Sequence, residues 1–263
     1  MTALLDAPLP PLLLAYSLCV VFAAGMVRGF AGFGFSAISV AGLSLIVSPA
    51  KVVPAIFALE VLASLSQLRG IVRDVDMRWI GWLVVGNLLF IPVGVALLAW
   101  LPETPLRLLI GALLMVAALL LRRGYRAALL PTRGVRLLAG VVSGFINGVA
   151  AIGGIALAVL LSSVNMPPAR LRATMIALLL FSDVVALVSA ALVPGAAGGS
   201  GSLLGPETLR WAVWLAPAML AGIWFGSRSF AGVSPEQFRR HVLNLLIGLS
   251  AVSVVRSLYG LLS

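Results

Sequence analysis

Glu60 lies in the middle of the apolar run from Val52 to Leu68, and Asp183 near the middle of the run from Ala173 to Val193. A carboxylate in such surroundings is costly unless it is protonated, hydrogen-bonded or ion-paired. Each is therefore either a proton-coupling or gating group, or a structural link between helices. Ser64, Ser66 and Gln67 follow Glu60, and Ser182 and Ser189 flank Asp183, so neither run is apolar on every side. Further candidates fall in two glycine-rich stretches, GMVRGFAGFGF from Gly25 to Phe35 and GVVSGFINGVAAIGG from Gly140 to Gly154. Gly25 with Gly29, and Gly140 with Gly144, have the spacing of four that lets helices pack closely. Gly32 and Gly34, and Gly153 with Gly154, instead weaken helix continuity and permit a local break, which exposes backbone N–H groups at the start of the following piece. Helix N-termini in a low dielectric favour a small oxyanion. Asn147 beside Gly148 is an amide that needs partners in an apolar half-helix. Arg28 either lines the entrance to such a site or snorkels to the membrane surface. Its counterpart in the second stretch, aligned on the first glycines, is Ser143.

These groups sit in a chain of 263 residues, 62% hydrophobic and only 10% charged, with a mean hydropathy of +1.16. A soluble domain of that length carries about 25% charged residues. The composition excludes most soluble-enzyme and secreted-module readings. The net charge of +10 comes from arginines scattered between apolar runs. It reads as membrane-orienting loop charge rather than a nucleic-acid footprint, so the lipid bilayer is an expected partner and nucleic acid is not. One cysteine, Cys19, and one histidine, His241, leave no disulfide, no metal cage and no expected cofactor. The opening MTALLDAPLPPLLL lacks the positive charge of a cleavable signal, so the first apolar run is expected to be retained.

Apolar runs cover roughly 11–47, 52–68, 79–100, 105–121, 137–163, 173–193, 211–227 and 241–261. The first and fifth exceed the roughly 20 residues of one crossing and contain the glycine clusters, so each is expected to form two shorter pieces. If both runs enter and return, thirteen arginines collect on one side against Lys51, Arg107 and Arg210 on the other. The positive-inside rule then places both termini outside the cytoplasm. In this topology Arg256 lies near the wrong end of the last span. Trp79, Trp82, Trp100, Trp211 and Trp214 fall at run ends, where headgroups are expected, whereas Trp224 does not.

The two glycine stretches share the opening Gly-x-x-x-Gly-Phe. Further matches follow in order: Pro49, Ala50 and Lys51 with Pro168, Ala169 and Arg170, then Pro102 and Glu103 with Pro235 and Glu236. The sequence thus predicts an all-α polytopic membrane protein of two repeats, 1–128 and 129–263. Each holds about five membrane segments including a glycine-broken pair, 8 to 10 in all. Because five is odd, the second repeat must be inverted.

The segments GMVRGFAGFGFSAISVAGLSLIVSP and GVVSGFINGVAAIGGIALAVLLSSVNMPP resemble the sulfite exporter TauE/SafE family of membrane transporters, whose halves each open with a glycine-rich segment followed by a proline about fifteen residues on. The similarity runs from about Leu12 to Val255. In the first half Phe35 follows Gly34 where the family's fuller pattern has another glycine. The resemblance implies a permease in a bacterial inner membrane that exports sulfite, a sulfonate or another small organosulfur anion. The expected function is thus a secondary transporter working by alternating access, with proton coupling through Glu60 or Asp183, or with the membrane potential as the only driving force. The competing readings are an anion channel-like facilitator and an intramembrane enzyme. The chain carries neither HExxH nor a nucleophile paired with a base, and no phosphate-binding Gly-Lys loop. A homo-oligomer is left open.

Overall fold

The structure is a computed structural model that describes residues 7–68, 70, 72–124, 132–161, 167–194, 202–229 and 235–262. Ten α-helices occur among the described residues: α1 (Pro11–Ala31), α2 (Phe35–Leu43), α3 (Pro49–Leu68), α4 (Met77–Trp100), α5 (Glu103–Arg122), α6 (Arg133–Ala150), α7 (Gly153–Leu161), α8 (Pro168–Leu192), α9 (Pro206–Ser229) and α10 (Pro235–Leu262). Proline opens α1, α3, α8, α9 and α10, where its missing N–H costs nothing and its fixed φ suits the first turn. Thr132 caps α6, its hydroxyl oxygen accepting from the Val135 N–H at 3.3 Å. Much of the loops expected at 122–136 and 194–206 lies outside the described residues.

Among the described residues, seven helices are long and apolar enough to cross a bilayer. The protein is therefore an all-α, multi-pass membrane protein. α6 is shorter and begins with Arg133 and Arg136, while α2 and α7 have nine residues each. At 1.5 Å per residue, each nine-residue helix extends only about 14 Å, less than half the hydrocarbon core. Leu88, Leu89 and Val93 of α4, Val188 and Leu192 of α8, and Val252 of α10 are exposed, as suits a lipid-facing belt. Pro54, Pro92 and Pro217 each lie within an unbroken helix.

The packing is reciprocal between the first five helices and the last five. α1 lies along α9, α4 along α6, α3 against α8 and α5 against α10. Backbones touch in the first two seams. A Cβ on Gly222 would stand 3.1 Å from the Gly25 Cα, and one on Gly94 would stand 2.9 Å from the Gly148 Cα. On Gly144 it would meet the Asn87 Cα at 2.7 Å. Any side chain there would force the helices apart.

Three residues that fitted the topology poorly find partners. Arg256 does not stand idle at the wrong end of its span, because its guanidinium donates to the Leu45 carbonyl at 2.6 Å, just past the end of α2. Arg107 reaches the Val47 carbonyl in the same turn at 3.3 Å, so two cations serve carbonyls of the turn that follows the short helix. Trp224 lies beneath the Arg228 guanidinium, 4.3 Å from the ring centroid. Trp211, expected in the headgroup layer, is buried in the core instead.

Candidate functional site

The first break follows from two left-handed glycines. Gly32, at φ 81°, ends α1 and donates its N–H to the Arg28 carbonyl at 2.8 Å, and Gly34, at φ 93°, leads into α2. The second break sits two residues before the glycines that the sequence singles out. Ala151, at φ 59°, ends α6 and donates to the Asn147 carbonyl at 2.7 Å, while Gly153 and Gly154 are the first residues of α7. A left-handed alanine costs roughly 1–2 kcal/mol, which the surrounding packing must offset.

These caps reset the comparison of the two halves. Gly32 with Ala151, Arg28 with Asn147, Pro49 with Pro168, and Ser64 with Asp183 are all 119 positions apart. Arg28 therefore corresponds to Asn147, not to Ser143 as the first glycines suggest. Glycines spaced by four occur three times from Gly140 to Gly148, so a slip of one helical turn leaves the sequence pattern unchanged.

Arg28 does not snorkel. Its side chain is wholly buried, with Nη1 2.6 Å from Glu60 Oε2 and Nη2 donating to the Ser64 hydroxyl at 2.6 Å. The other Glu60 oxygen, Oε1, accepts from the Ser36 backbone N–H at 3.1 Å, in the first turn of α2. The position where a helix start would hold an anion is thus filled by the chain's own carboxylate. Breaking a buried pair of this kind from one side costs about 3–5 kcal/mol, because the remaining charge is left bare.

In the second half Asn147 bridges the break. Its Nδ2 donates to Asp183 Oδ1 at 2.9 Å, and its Oδ1 accepts from the Gly153 N–H at 3.1 Å. Asp183 is buried, and its second oxygen, Oδ2, has no hydrogen-bond partner. The charges of Glu60 and Arg28 both act on this carboxyl. Thus the ion pair of one half and the lone carboxyl of the other lie within electrostatic reach. The breaks themselves touch, since a Cβ on Gly154 would stand 3.5 Å from the Phe33 Cβ.

Sequence reasoning missed several groups. Asn87 is buried and joins α4, α6 and α8: its amide donates to the Gly140 carbonyl and the Ser143 hydroxyl, both at 3.3 Å, and its Oδ1 accepts from Ser182 at 2.8 Å. Arg172, counted as loop charge, reaches back to the Gly29 carbonyl at 2.9 Å, and its stem covers Gly32. Ser36 carried no signal, because a backbone donor has no side-chain signature. Of the proposed anion-binding glycines, Gly148 is taken up by the α4 seam and faces no open space. A crevice lined by Asn87, Ser143, Asn147, Gly153, Leu178 and Ser182 has no room for a water-sized sphere, so this side of the centre is closed. Among the described residues no group of three or more His, Cys, Asp or Glu side chains comes together to hold a metal.

No curated protein and no solved structure matches the chain. A family profile described as Sulfite exporter TauE/SafE does, over residues 17–253, a span that includes both breaks and all four groups at the centre. The chain therefore belongs to the TauE/SafE sulfite exporter family and is a membrane transporter of small anions, not an enzyme.

Proposed function

We propose that the protein exports sulfite or a small organosulfonate across a bacterial inner membrane as a secondary transporter working by alternating access. The observation that carries this reading is Arg28, a wholly buried arginine one turn before a helix break, whose charge also acts on Asp183 of the opposite half. A fixed cation at that depth is costly unless it serves an anion. Gly32 and Gly34 shape the first side of the site, and Asn147, Gly153 and Gly154 the second. Glu60 and Asp183 are the gating or proton-coupling groups.

Residues 1–128 and 129–263 are read as inverted repeats, with both termini outside the cytoplasm. The reciprocal packing of α1 on α9 and of α4 on α6 supports that reading, as do the equal separations of caps and polar partners in the two halves. The closed crevice supports a carrier that opens to one side at a time over a standing pore. A cell-negative potential drives an anion outward, so export needs no coupling ion as its driving force. The test is efflux from proteoliposomes of labelled sulfite, sulfate, taurine, sulfoacetate and a carboxylate control. Saturable flux of sulfite or a sulfonate, with acceleration by the same anion outside, is expected. Flux of none of them would overturn the reading.

A further inference from the structure

The two intramembrane carboxylates are not equivalent. Asp183 accepts one amide hydrogen bond and has a free oxygen, whereas Glu60 is held by a guanidinium on one oxygen and a helix-start N–H on the other. Arg28 and the Ser36 N–H are a strong cation and an oriented backbone donor converging on one small, oxygen-bearing anion, which here is Glu60 itself. Ser64 adds a hydroxyl to the same cation at 2.6 Å. A sulfonate or bisulfite, like the carboxylate, carries one negative charge shared over acceptor oxygens on a single atom and can accept from the same two donors.

We infer that the Glu60 carboxylate is a tethered stand-in for the transported anion: it occupies Arg28 and the start of α2 when the carrier is empty, and the cargo displaces it when the carrier is loaded. The inference rests on the transport reading given above. Its physical basis is charge compensation. An empty carrier that changed its open side with Arg28 unpaired would carry a bare guanidinium through its least polar conformation. With Glu60 in place the empty and the loaded centre are both compensated, so the empty carrier returns and net efflux proceeds. Without it, the carrier crosses only when loaded and becomes an exchanger. No bond between heavy atoms is made or broken; the displaced Glu60 carboxyl takes up one proton from water before the loaded centre closes and gives it up on pairing again with Arg28, so its own charge is not left bare. The second half lacks this device, since the position equivalent to Glu60 is Leu179, which lies over Gly154 at the start of α7.

The test compares the wild type with Glu60→Gln in proteoliposomes, using radiolabelled sulfite for binding, for net efflux into sulfite-free buffer and for exchange against external sulfite. Because the variant removes a competitor, its sulfite dissociation constant is expected to fall by on the order of tenfold. Exchange should persist while net efflux drops by a similar factor. Equal loss of exchange and net efflux, or unchanged or weaker binding by folded protein, would overturn the inference while leaving the wild-type flux, and with it the transport reading, intact. A wild type that passes no sulfite and no sulfonate overturns both. If Glu60→Gln does not fold, Glu60→Asp, which draws the charge back by one methylene, must show the same rise in affinity. The double variant Arg28→Gln/Glu60→Gln removes both charges together and is expected to fold but not to bind sulfite, and sulfite binding at wild-type strength there would assign the pair to structure alone. Failure of all three variants to fold would also assign the pair to structure and overturn the inference.

Discussion

At Gly32 and Ala151 the two halves solve one problem with different residues. Both hold left-handed backbone and both return an N–H to the carbonyl four residues back, yet only one is a glycine. Ala151→Gly is expected to raise the midpoint of thermal unfolding in detergent, with a gain of about 1 kcal/mol after the entropy of the freer unfolded chain is subtracted. Gly32→Ala should lower it, because the new methyl meets both an unfavourable φ and the Arg172 stem at 2.5 Å. Asp183 gives a second prediction at this scale. It faces the charges of Glu60 on α3 and Arg28 on α1, and the neutral amide of Asn147 on α6. If it exchanges protons during transport, Asp183→Asn flattens the pH profile of flux, and an unaltered profile restricts it to holding Asn147 in place. The sequence carried the residue types of this centre but not its pairings. Glu60 and Asp183 stand out by type alone, whereas the partner of each is 32 or 36 positions away, on another helix.

Glycine is used in two ways along the helices, and sequence separates them only in part. Gly25, Gly29, Gly140 and Gly144 read as packing positions from their spacing, and backbone meets them all in the structure. Gly148 continues the same spacing yet stands beside Asn147, and that neighbour drew it into the candidate site. Its role is settled by Gly94 across the seam, a residue with no motif of its own. Gly148→Ala should therefore reduce the yield of folded protein, since its Cβ falls within 3 Å of the α4 backbone. Gly81→Ala, on the same α4 but with nothing within 4 Å, is the matched control and should leave folding unchanged. Size-exclusion profiles of the two variants in detergent check the pair. The helix ends were more legible than the seams, because proline opens so many of them and needs no tertiary information to do so. The second break was misplaced by two residues, since nothing in an alanine advertises a left-handed turn.

Over the whole chain, the inverted arrangement predicts opposite sides for the turn after α5 and the turn before α9. With Cys19 replaced by serine, an impermeant maleimide should label a single cysteine at Ser202 in intact cells and one at Gly124 only in inside-out membrane vesicles, and labelling of both from one face would remove the inverted repeat. The all-α outline, with the first and fifth apolar runs each divided into two helices, was legible because hydropathy and helix breaks are local. How the helices interlock was not, because their pairing depends on which glycine faces which. That interlock bears on how the protein is made. α1 packs its glycine face along α9, so it meets this partner only after Pro206–Ser229 has been synthesised. Until then its groove of bare backbone faces lipid. The translocon or an assisting chaperone must hold the early helices apart from wrong neighbours through most of translation, and a truncated first half should be a substrate for membrane proteolysis.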